Sequence, residues 1–462
     1  MAAPKERHQI KIRAERAVLA AVHLPTSRFD ARDPLGELRA LAETAGVTAV
    51  GEMVQNRDYP EAATFMGAGK VEELERMCDE LEAGVIVFDH ELSPKQIGNI
   101  EKITKRKVID RSELILDIFA SRATSRQAQL AVELAQLEYT YPRLRAMWDH
   151  LERIVGSGGI GGVGTRGPGE QQIEIDRRLV NKRKTILRRE LADINERKRR
   201  EVRDRRLDHY TVGLVGYTNA GKSTIFNTLT AGGAHANDQL FATLMTRTRE
   251  WDLGGGQRVM LSDTVGFVRD LPHHLIASFR ATLEEATHAD CLLIVLDVSD
   301  PAAELQLQTV EETLEELFEE VREREMKAGV EWHEPARILL LNKSDRLKDN
   351  TEMLVWRQRR PEAIPFCGRD VGGQGQAELI ERIGRLSRGT VRERIMTMPL
   401  SEAKAVHFLE TRCEVIDREY VDASVRMRVR IGDRQLAQLR SSGARFEVDG
   451  EPARGKAGAW QA

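Results

Sequence analysis

The chain has 462 residues, which is enough for about three domains of roughly 150 residues each and excludes a single small module. Charged residues make up 31% of it and aromatic residues 5%, a composition typical of water-soluble, helix-rich globular proteins rather than of disordered or membrane chains. Its 70 lysines and arginines nearly balance 73 acidic residues, for a net charge of -3, so the overall charge identifies no partner.

The cysteines and the apolar runs favour a reducing, cytoplasmic setting. The four cysteines are far apart and form no Cys-x-x-Cys pair, which argues against a disulfide scaffold and against a clustered zinc site. The longest apolar run, at 291–296, is too short to span a bilayer. No apolar stretch follows the basic first residues, as a secretory signal would require. We therefore expect a cytoplasmic protein without stable membrane insertion.

Residues 16–111 alternate short β-rich runs with helix-patterned segments, which predicts an α/β domain. The β-rich runs are AVLAAVHL, TAVGEMVQ, GVIVFDH and KVIDR. The helical segments between them are PLGELRALAETAG, KVEELERMCDELEAG and SPKQIGNIEKITK. We place this first domain at residues 1–125.

A helical connector is predicted for residues 126–207. Residues 112–152 have a helical pattern with a one-sided leucine stripe at Leu130, Leu134 and Leu137. A glycine tract at 156–169 follows and predicts a loop, because glycine is unfavourable inside helices and strands. Residues 176–206 again have helical spacing and contain fourteen Lys/Arg against six Asp/Glu, a local charge of +8. This segment is either a solvated helix packed on a neighbour or a surface that faces a polyanion.

Strand and helix patterns alternate again from 210 to 389. Strands with nearly continuous apolar character favour a doubly wound, mostly parallel sheet covered on both faces, and they read TVGLVGY, RVMLSDT, CLLIVLDV, ARILLLNK and AIPFCG. An acidic helix between them has an apolar stripe at Val310, Leu314, Leu317 and Val321, so we expect it on the surface of that sheet. We place this α/β domain at 208–390. A small α+β domain at 391–462 is predicted from the strand-like runs RCEVID and SVRMRVRIG.

Residues 216–223 match the phosphate-binding motif G-x-x-x-x-G-K-[ST] and lie between an apolar strand and a helix pattern, as that loop requires. Backbone N–H groups of such a loop surround phosphate oxygens, Lys222 would reach the β- and γ-phosphates, and the Ser223 hydroxyl would ligate Mg²⁺. The loop consists of Gly216, Tyr217, Thr218, Asn219, Ala220, Gly221, Lys222 and Ser223. A similar run at 67–70 lacks the first glycine and the final hydroxyl, and we expect only a loop there.

Two further motifs end predicted strands of the same domain. The first is the D-x-x-G motif Asp263, Thr264, Val265 and Gly266, whose aspartate can hold Mg²⁺ through water and whose glycine N–H can meet the γ-phosphate. The second is Asn342, Lys343, Ser344 and Asp345. A carboxylate at its end can accept hydrogen bonds from the N1–H and 2-amino groups of guanine, which adenine would leave unpaired. The three motifs together predict GTP binding.

Over residues 35–347 the sequence resembles the HflX family of translation-associated GTPases. The matching segments are GAGKVEEL, FDHELSPKQ, VIDRSELILDIFASRA, PRL, GGVGTRGPGE, GYTNAGKSTIFN and DTVGFVRDLPHHLIASFRATLEEA. The resemblance implies an N-terminal α/β HflX domain, a long helical connector, a Ras-like P-loop G domain and a small C-terminal domain. It also implies GTP hydrolysis, binding to the large (50S) ribosomal subunit and its RNA, and splitting or rescue of ribosomes under stress. The basic residues 176–206 would then contact RNA phosphates, and we expect a monomer.

The resemblance also assigns the residues around the nucleotide. It places switch I at Phe241, Ala242, Thr243, Leu244 and Met245. Thr243 would be the second protein ligand to Mg²⁺ beside Ser223, or else a residue of an ordinary surface loop, and Lys222, Thr243 and Gly266 would be catalytic. The family usually continues with Asp-Pro-Thr, whereas this chain has Met245-Thr246-Arg247. The guanine-side loop, usually Ser-Ala, corresponds to Cys367, Gly368 and Arg369, or with a shifted alignment to Arg369-Asp370.

Phe267 stands where many GTPases have a glutamine that orients the attacking water. A phenyl ring cannot hydrogen-bond water, so we expect slow intrinsic hydrolysis that the ribosome accelerates. Asn219 resembles a residue that holds K⁺ in some related GTPases, and an ordinary loop asparagine is the alternative. Two competing functions stay open, namely a nucleotide-gated RNA-binding scaffold and a regulator of a membrane protease.

Overall fold

The computed structural model describes residues 15–156, 168–230, 241, 246–269, 286–329, 332–347, 350–370, 372–421, 423–441, 444–449 and 451–452. Three sheets and a helical hairpin form within these ranges. None of the helices in the described part of the chain is long and apolar enough to cross a membrane.

The first sheet is parallel, with the strand order β2-β1-β3-β4, as the alternating pattern predicts. Its strands are β1 (Arg16–His23), β2 (Thr48–Asn56), β3 (Val85–Phe88) and β4 (Lys107–Asp110). Its helices are α1 (Gly36–Ala45), α2 (Ala68–Glu80), α3 (Pro94–Thr104) and α4 (Arg111–Arg122). Strand β1 is central and buried beyond its first residue because apolar side chains point to cores on both faces. The expectation of a loop at 67–70 is wrong, since α2 begins there with Gly67 as its N-cap.

A helical hairpin of α5 (Arg126–Gly156) and α6 (Pro168–Asp208) follows. A buried seam joins the two helices, formed by Leu130, Ala131, Leu134, Leu187 and Leu191. Ion pairs of Arg183 with Glu133 and of Arg188 with Glu138 flank the seam. Helix α6 is longer than the predicted basic segment, and the proline at its start fits a first helical position. Most of the predicted glycine loop, 157–167, lies outside the described residues.

The second sheet has six strands in the order β10-β9-β8-β5-β7-β6. The strands are β5 (Tyr210–Gly216), β6 (Arg247–Gly254), β7 (Gln257–Asp263), β8 (Cys291–Asp297), β9 (Ala336–Asn342) and β10 (Ile364–Pro365). The helices are α7 (Lys222–Leu229), α8 (Ala303–Lys327), α9 (Asn350–Arg359) and α10 (Gln376–Arg388). All strand pairs are parallel except β6 with β7, so the predicted doubly wound sheet is confirmed. The predicted stripe on α8 is buried at all four positions.

The C-terminal part is an antiparallel sheet with the strand order β12-β13-β11-β14-β15. Its strands are β11 (Val391–Pro399), β12 (Glu414–Val421), β13 (Ser424–Gly432), β14 (Glu447–Val448) and β15 (Glu451–Pro452). Helices α11 (Ala403–Arg412) and α12 (Asp433–Ser441) contribute to its core. The prediction of an α+β fold is confirmed here, although the sequence analysis did not identify β11.

Candidate active site

The loop at 217–221 connects the buried strand β5 to helix α7. Gly221 at its end has a φ of +99°, and a Cβ there would lie 2.3 Å from Nδ2 of Asn342. Only glycine satisfies both requirements, because side chains disfavour positive φ and no space remains for a methyl group. The second glycine of the motif therefore lets the loop pack directly on the end of β9.

Lys222 is the first residue of α7 and is 6% exposed. Its ammonium group donates hydrogen bonds to the carbonyl oxygens of Gly216 at 3.1 Å and Tyr217 at 2.7 Å. Burial lowers the pKa of Lys222 to about 8, with the nearby carboxylate of Asp263 acting in the opposite direction. A buried cation at this position can be stabilised further by an anion placed against the loop.

Ser223, the last residue of the phosphate-binding motif, contacts Asp263 at the end of β7. The Ser223 hydroxyl donates to Oδ2 of Asp263 at 2.7 Å, and Asp263 is 1% exposed. A hydroxyl and a carboxylate are hard oxygen donors of the kind that Mg²⁺ prefers, so this donor set fits the implied ion. The third expected participant, Thr243, lies outside the described residues together with Ala242, Leu244 and Met245.

The motif at the end of β9 packs against the P-loop through its first two side chains. Nδ2 of Asn342 donates to the carbonyl of Ala220 at 2.7 Å, and Nζ of Lys343 donates to that of Asn219 at 2.9 Å. Lys343 also forms an ion pair of 2.6 Å with Asp297. These contacts hold the loop at Asn219 and Ala220, whereas Lys222 holds it at Gly216 and Tyr217.

The last two residues of that motif reach the neighbouring loop. The Ser344 hydroxyl donates to the carbonyl of Phe366 at 3.1 Å, whereas Asp345 is exposed and leaves its carboxylate accessible. The backbone N–H of Gly368 donates to Oδ1 of Asn342 at 3.0 Å. A Cβ at Gly368 would lie 2.7 Å from Cγ1 of Ile225, so the usual alanine does not fit here. The structure thus brings Cys367 and Gly368 beside the motif, while Arg369 is exposed.

The D-x-x-G segment pairs with the P-loop through the backbone. The N–H of Phe267 donates to the carbonyl of Gly216 at 3.0 Å, and the N–H of Thr218 donates to the carbonyl of Phe267 at 2.8 Å. A Cβ at Gly266 would lie 2.9 Å from Nζ of Lys222. The Phe267 side chain is 4% exposed and packs in the core with Tyr217. It therefore points into the protein, and the hydroxyl of Thr264 likewise donates inward, to the carbonyl of Leu214 at 2.6 Å.

A buried network connects this segment to the N-terminal domain. Arg111 forms ion pairs with Asp89 at 2.5 Å and Glu37 at 3.0 Å, and Arg269 forms ion pairs with the same two carboxylates at 2.9 and 3.4 Å. The backbone N–H of Arg269 donates to the Tyr217 hydroxyl at 2.7 Å, and that hydroxyl donates to Glu37. Burial is the largest cause that raises the pKa of Tyr217 well above its ordinary value. We call Glu37, Asp89, Arg111 and Arg269 the charged quartet. The segment after the D-x-x-G motif joins it through Arg269, and the phosphate loop contacts it through Tyr217.

Apolar contacts extend the same interface. Val265 and Val268 belong to the core cluster of the N-terminal domain, as does Phe241, the one described residue of the predicted switch I. Sequence reasoning missed this interface, because its members come from four distant segments with no common spacing.

A phosphate loop on a doubly wound sheet, with a buried aspartate opposite its serine and the Asn342–Asp345 motif beside it, defines a P-loop GTPase. Three family models match the chain: GTP-binding GTPase N-terminal over residues 32–120, GTP-binding GTPase Middle Region over 122–206, and 50S ribosome-binding GTPase over 211–343.

Proteins named GTPase HflX are similar to this chain over most of its length. The protein from Magnetococcus marinus is 40% identical over 416 residues, which cover 89% of this chain and 90% of that one. The protein from Escherichia coli is 37% identical over 426 residues, covering 90% and 93%. The protein from Lacrimispora saccharolytica is 47% identical over 311 residues, covering 67% and 72%. The chain belongs to the HflX family of GTPases, and GTP hydrolysis is its activity.

Proposed function

We propose that this GTPase binds GTP in the loop at 216–223 and acts in the cytoplasm on the large ribosomal subunit, which it separates from the small subunit under stress. Lys222 contacts the β- and γ-phosphates, the backbone N–H of Gly266 meets the γ-phosphate, and Asp345 accepts hydrogen bonds from guanine. The buried ammonium of Lys222 and the accessible carboxylate of Asp345 support this placement.

In this proposal Ser223 and Thr243 would hold Mg²⁺, and Asp263 would contact it through water. When bound, the ion neutralises developing charge between the β- and γ-phosphates. The 2.7 Å contact between Ser223 and Asp263 supports a shared ion at this position. A role of Asn219 in holding K⁺ stays a prediction, because the described contact of Asn219 is made by its backbone carbonyl, with Lys343.

Hydrolysis requires a group that orients water, and the Phe267 side chain is buried in the core. In this proposal the groups that meet the γ-phosphate include Lys222, Thr243 and the backbone N–H of Gly266. We therefore propose that intrinsic turnover is slow and that the ribosome completes the site, since a supplied group can increase the rate by roughly 10³ to 10⁵.

The exposed face of α6 carries the ribosome-binding part of the proposal. Lys182, Arg189 and Arg197 are exposed and form no ion pair with any other residue that the structure describes. These cations lie outside the buried seam of the hairpin and face solvent. They can contact RNA phosphates there, and such binding weakens strongly as salt concentration increases. The matched family model named 50S ribosome-binding GTPase agrees with this partner.

The charged quartet supports a coupling between nucleotide and ribosome. GTP can drive a switch only if it binds one conformation better than another. Contact of the γ-phosphate with Gly266 would rearrange the segment that includes Arg269, and Arg269 bonds directly to Asp89 of the N-terminal domain. The N-terminal domain and the attached hairpin would then change position with the state of the nucleotide.

Co-sedimentation with 50S subunits under GDP and under a non-hydrolysable GTP analogue tests the proposal, together with GTP turnover with and without 50S. We expect tighter binding with the analogue, faster turnover with 50S, and loss of binding in the triple variant K182E/R189E/R197E. The triple variant R357E/R392E/K404E, which reverses three exposed cations outside α6, serves as the charge-matched control. Equal turnover with and without subunits would count against the proposal, and K222A that still splits ribosomes at saturating nucleotide would favour the scaffold function.

A further inference from the structure

The thiol of Cys367 lies between two carboxylates at the guanine side of the site. Its Sγ is 3.6 Å from Oδ1 of Asp345 and 3.5 Å from Oδ2 of Asp370. Cys367 is 7% exposed, and burial is the largest cause that raises the pKa of its thiol. The thiol therefore stays protonated near neutral pH and acts as a hydrogen-bond donor to an acidic partner.

A thiol has one hydrogen, so it donates to one of these two carboxylates at a time. Asp345 needs a fixed orientation, because both of its oxygens must face the N1–H and 2-amino groups of guanine. A hydrogen bond from Cys367 to Asp345 favours one orientation of the carboxylate. When the thiol donates to Asp370 instead, the orientation of the Asp345 carboxylate is no longer restrained by this hydrogen bond.

The loop that carries Cys367 and Asp370 is held in place by contacts of its backbone at Gly368. The Thr228 hydroxyl donates to the carbonyl of Gly368 at 2.7 Å, and the N–H of Gly368 donates to Asn342. The close approach of Ile225 to Gly368 prevents the loop from shifting toward α7. The backbone next to Cys367 is thus restrained, which keeps the buried thiol beside Asp345 and Asp370.

We propose that Cys367 is a positioning residue for Asp345, and that Asp370 lowers guanine-nucleotide affinity by competing for the same thiol proton. The inference rests on the proposed role of Asp345 in reading guanine. The affinity for guanine nucleotides would then depend on how the thiol proton is divided between Asp345 and Asp370, and the thiol is a weaker donor than a hydroxyl. A serine at 367 would donate more strongly, and an alanine would not donate at all.

The dissociation constants of GDP and IDP test this assignment, because IDP lacks the 2-amino group and makes one hydrogen bond fewer to the carboxylate. We expect C367A to weaken GDP roughly threefold to tenfold, an effect of the size of a modest hydrogen bond. It should weaken IDP less, so the preference for GDP over IDP falls. C367S should restore or exceed the original preference, and D370A should tighten GDP binding. C413A, which removes a thiol from the C-terminal domain, is the matched control.

A general loss of folding would weaken GDP and IDP equally, so an unchanged preference in C367A would overturn the positioning role. Weaker GDP binding in D370A would overturn the competing role of Asp370. The variant D345N separates this inference from the one on which it rests. If D345N keeps the preference for guanine over adenine nucleotides, the role of Asp345 itself is wrong. If D345N loses that preference while C367A and C367S leave the ratio of GDP to IDP affinity unchanged, only the role of Cys367 is wrong.

Discussion

The ring of Phe241 lies edge-on against the ring of Phe119, with centroids 4.6 Å apart and ring planes at 79°. Phe119 belongs to helix α4 of the N-terminal domain, and Phe241 belongs to the predicted switch I of the G domain. Such edge-to-face pairs add about 0.5–1.5 kcal/mol beyond the burial of their area. Phe241 is therefore anchored in the core of the N-terminal domain.

Replacement of Phe119 by alanine should destabilise the N-terminal domain by about 3–5 kcal/mol, because it empties a fully buried site. It should also expose Phe241, which loses its partner. Urea unfolding followed by hydrogen exchange of residue 241 measures both effects. F119L removes the ring but keeps most of the volume, so it should cost much less; equal losses in F119A and F119L would contradict the assignment of the loss to the emptied volume.

The variant Y217F tests the contact between the phosphate loop and the N-terminal domain. It removes the hydroxyl that links Glu37 to the N–H of Arg269 and leaves that N–H with its longer contact of 3.3 Å to Glu37, which should cost about 0.5–1.5 kcal/mol. Faster amide exchange at Arg269 is the specific consequence. Y59F, which alters an exposed tyrosine of the N-terminal domain, is the control. Unchanged exchange at Arg269 would contradict the bridging role of Tyr217.

Nucleotide binding should weaken as pH rises above about 8. The pKa of Lys222 is lowered by burial to about 8, so the free protein loses this charge above that pH, whereas a bound phosphate favours the protonated form. GDP affinity is then constant below pH 8 and falls up to tenfold for each further pH unit. Titrations between pH 7 and 9 measure this slope. K222R stays charged throughout and should show no such slope, and parallel slopes in the two proteins would refute the assignment.

The partly buried carboxylate of Asp117 on α4 should make the stability of the protein depend on pH. Burial raises its pKa to about 6, with Lys107 opposing, so the folded state prefers the protonated form. Its contribution to stability is full below the unfolded-state pKa near 3.8 and is lost as pH rises through 6. D117N should therefore stabilise the protein at pH 7 by up to about 3 kcal/mol, since one pKa unit corresponds to 1.36 kcal/mol.

Urea unfolding at pH 7 and pH 4 measures this difference. At pH 4 the gain from D117N should largely disappear. E72Q, which changes an exposed acid of the same domain, should have little effect at either pH. A gain from D117N that is the same at both pH values would mean that the burial of charge is not its cause.

Gly266 tests the close packing of the D-x-x-G segment on the P-loop. In G266A the added Cβ would meet Nζ of Lys222 and atoms of Thr218 at 2.9 Å, so the segment must move away. We expect GTP turnover to fall by roughly 10² or more, as for loss of one backbone donor to a reacting oxyanion, with a smaller change in GDP affinity. G69A on α2 has open space around its Cβ and is the control. Unchanged turnover in G266A would remove Gly266 from the proposed catalytic set.

The sequence predicts elements well where one local signal decides the structure. Strands β5, β8 and β9 are nearly continuously apolar, and the phosphate loop has a fixed spacing. Strand β6 escaped prediction because it is an edge strand, and it carries charged side chains such as Arg249 and Glu250. Strand β10 is shorter than its apolar run suggests, since only Ile364 and Pro365 pair with β9.

The contacts across the interface between domains had no local signal. Glu37 opens a helix, Asp89 follows a strand, and Arg111 begins another helix, so each residue has a sufficient local explanation in sequence. Their pairing with Arg269 depends on how two separately folded units meet. The prediction of the guanine-side loop as Cys367 and Gly368 did locate residues near Asn342, because a loop after a parallel strand ends at the same edge of the sheet.

The charged quartet has unequal numbers of charges on its two sides. The N-terminal domain contributes Glu37, Asp89 and Arg111, and the G domain contributes Arg269 alone. Separation of the two domains would therefore uncover a net negative patch on one and a positive one on the other. Such surfaces attract each other over about a Debye length, roughly 8 Å at physiological salt. The attraction would then guide the two domains back into contact, and the rate of this step should decrease as salt concentration increases.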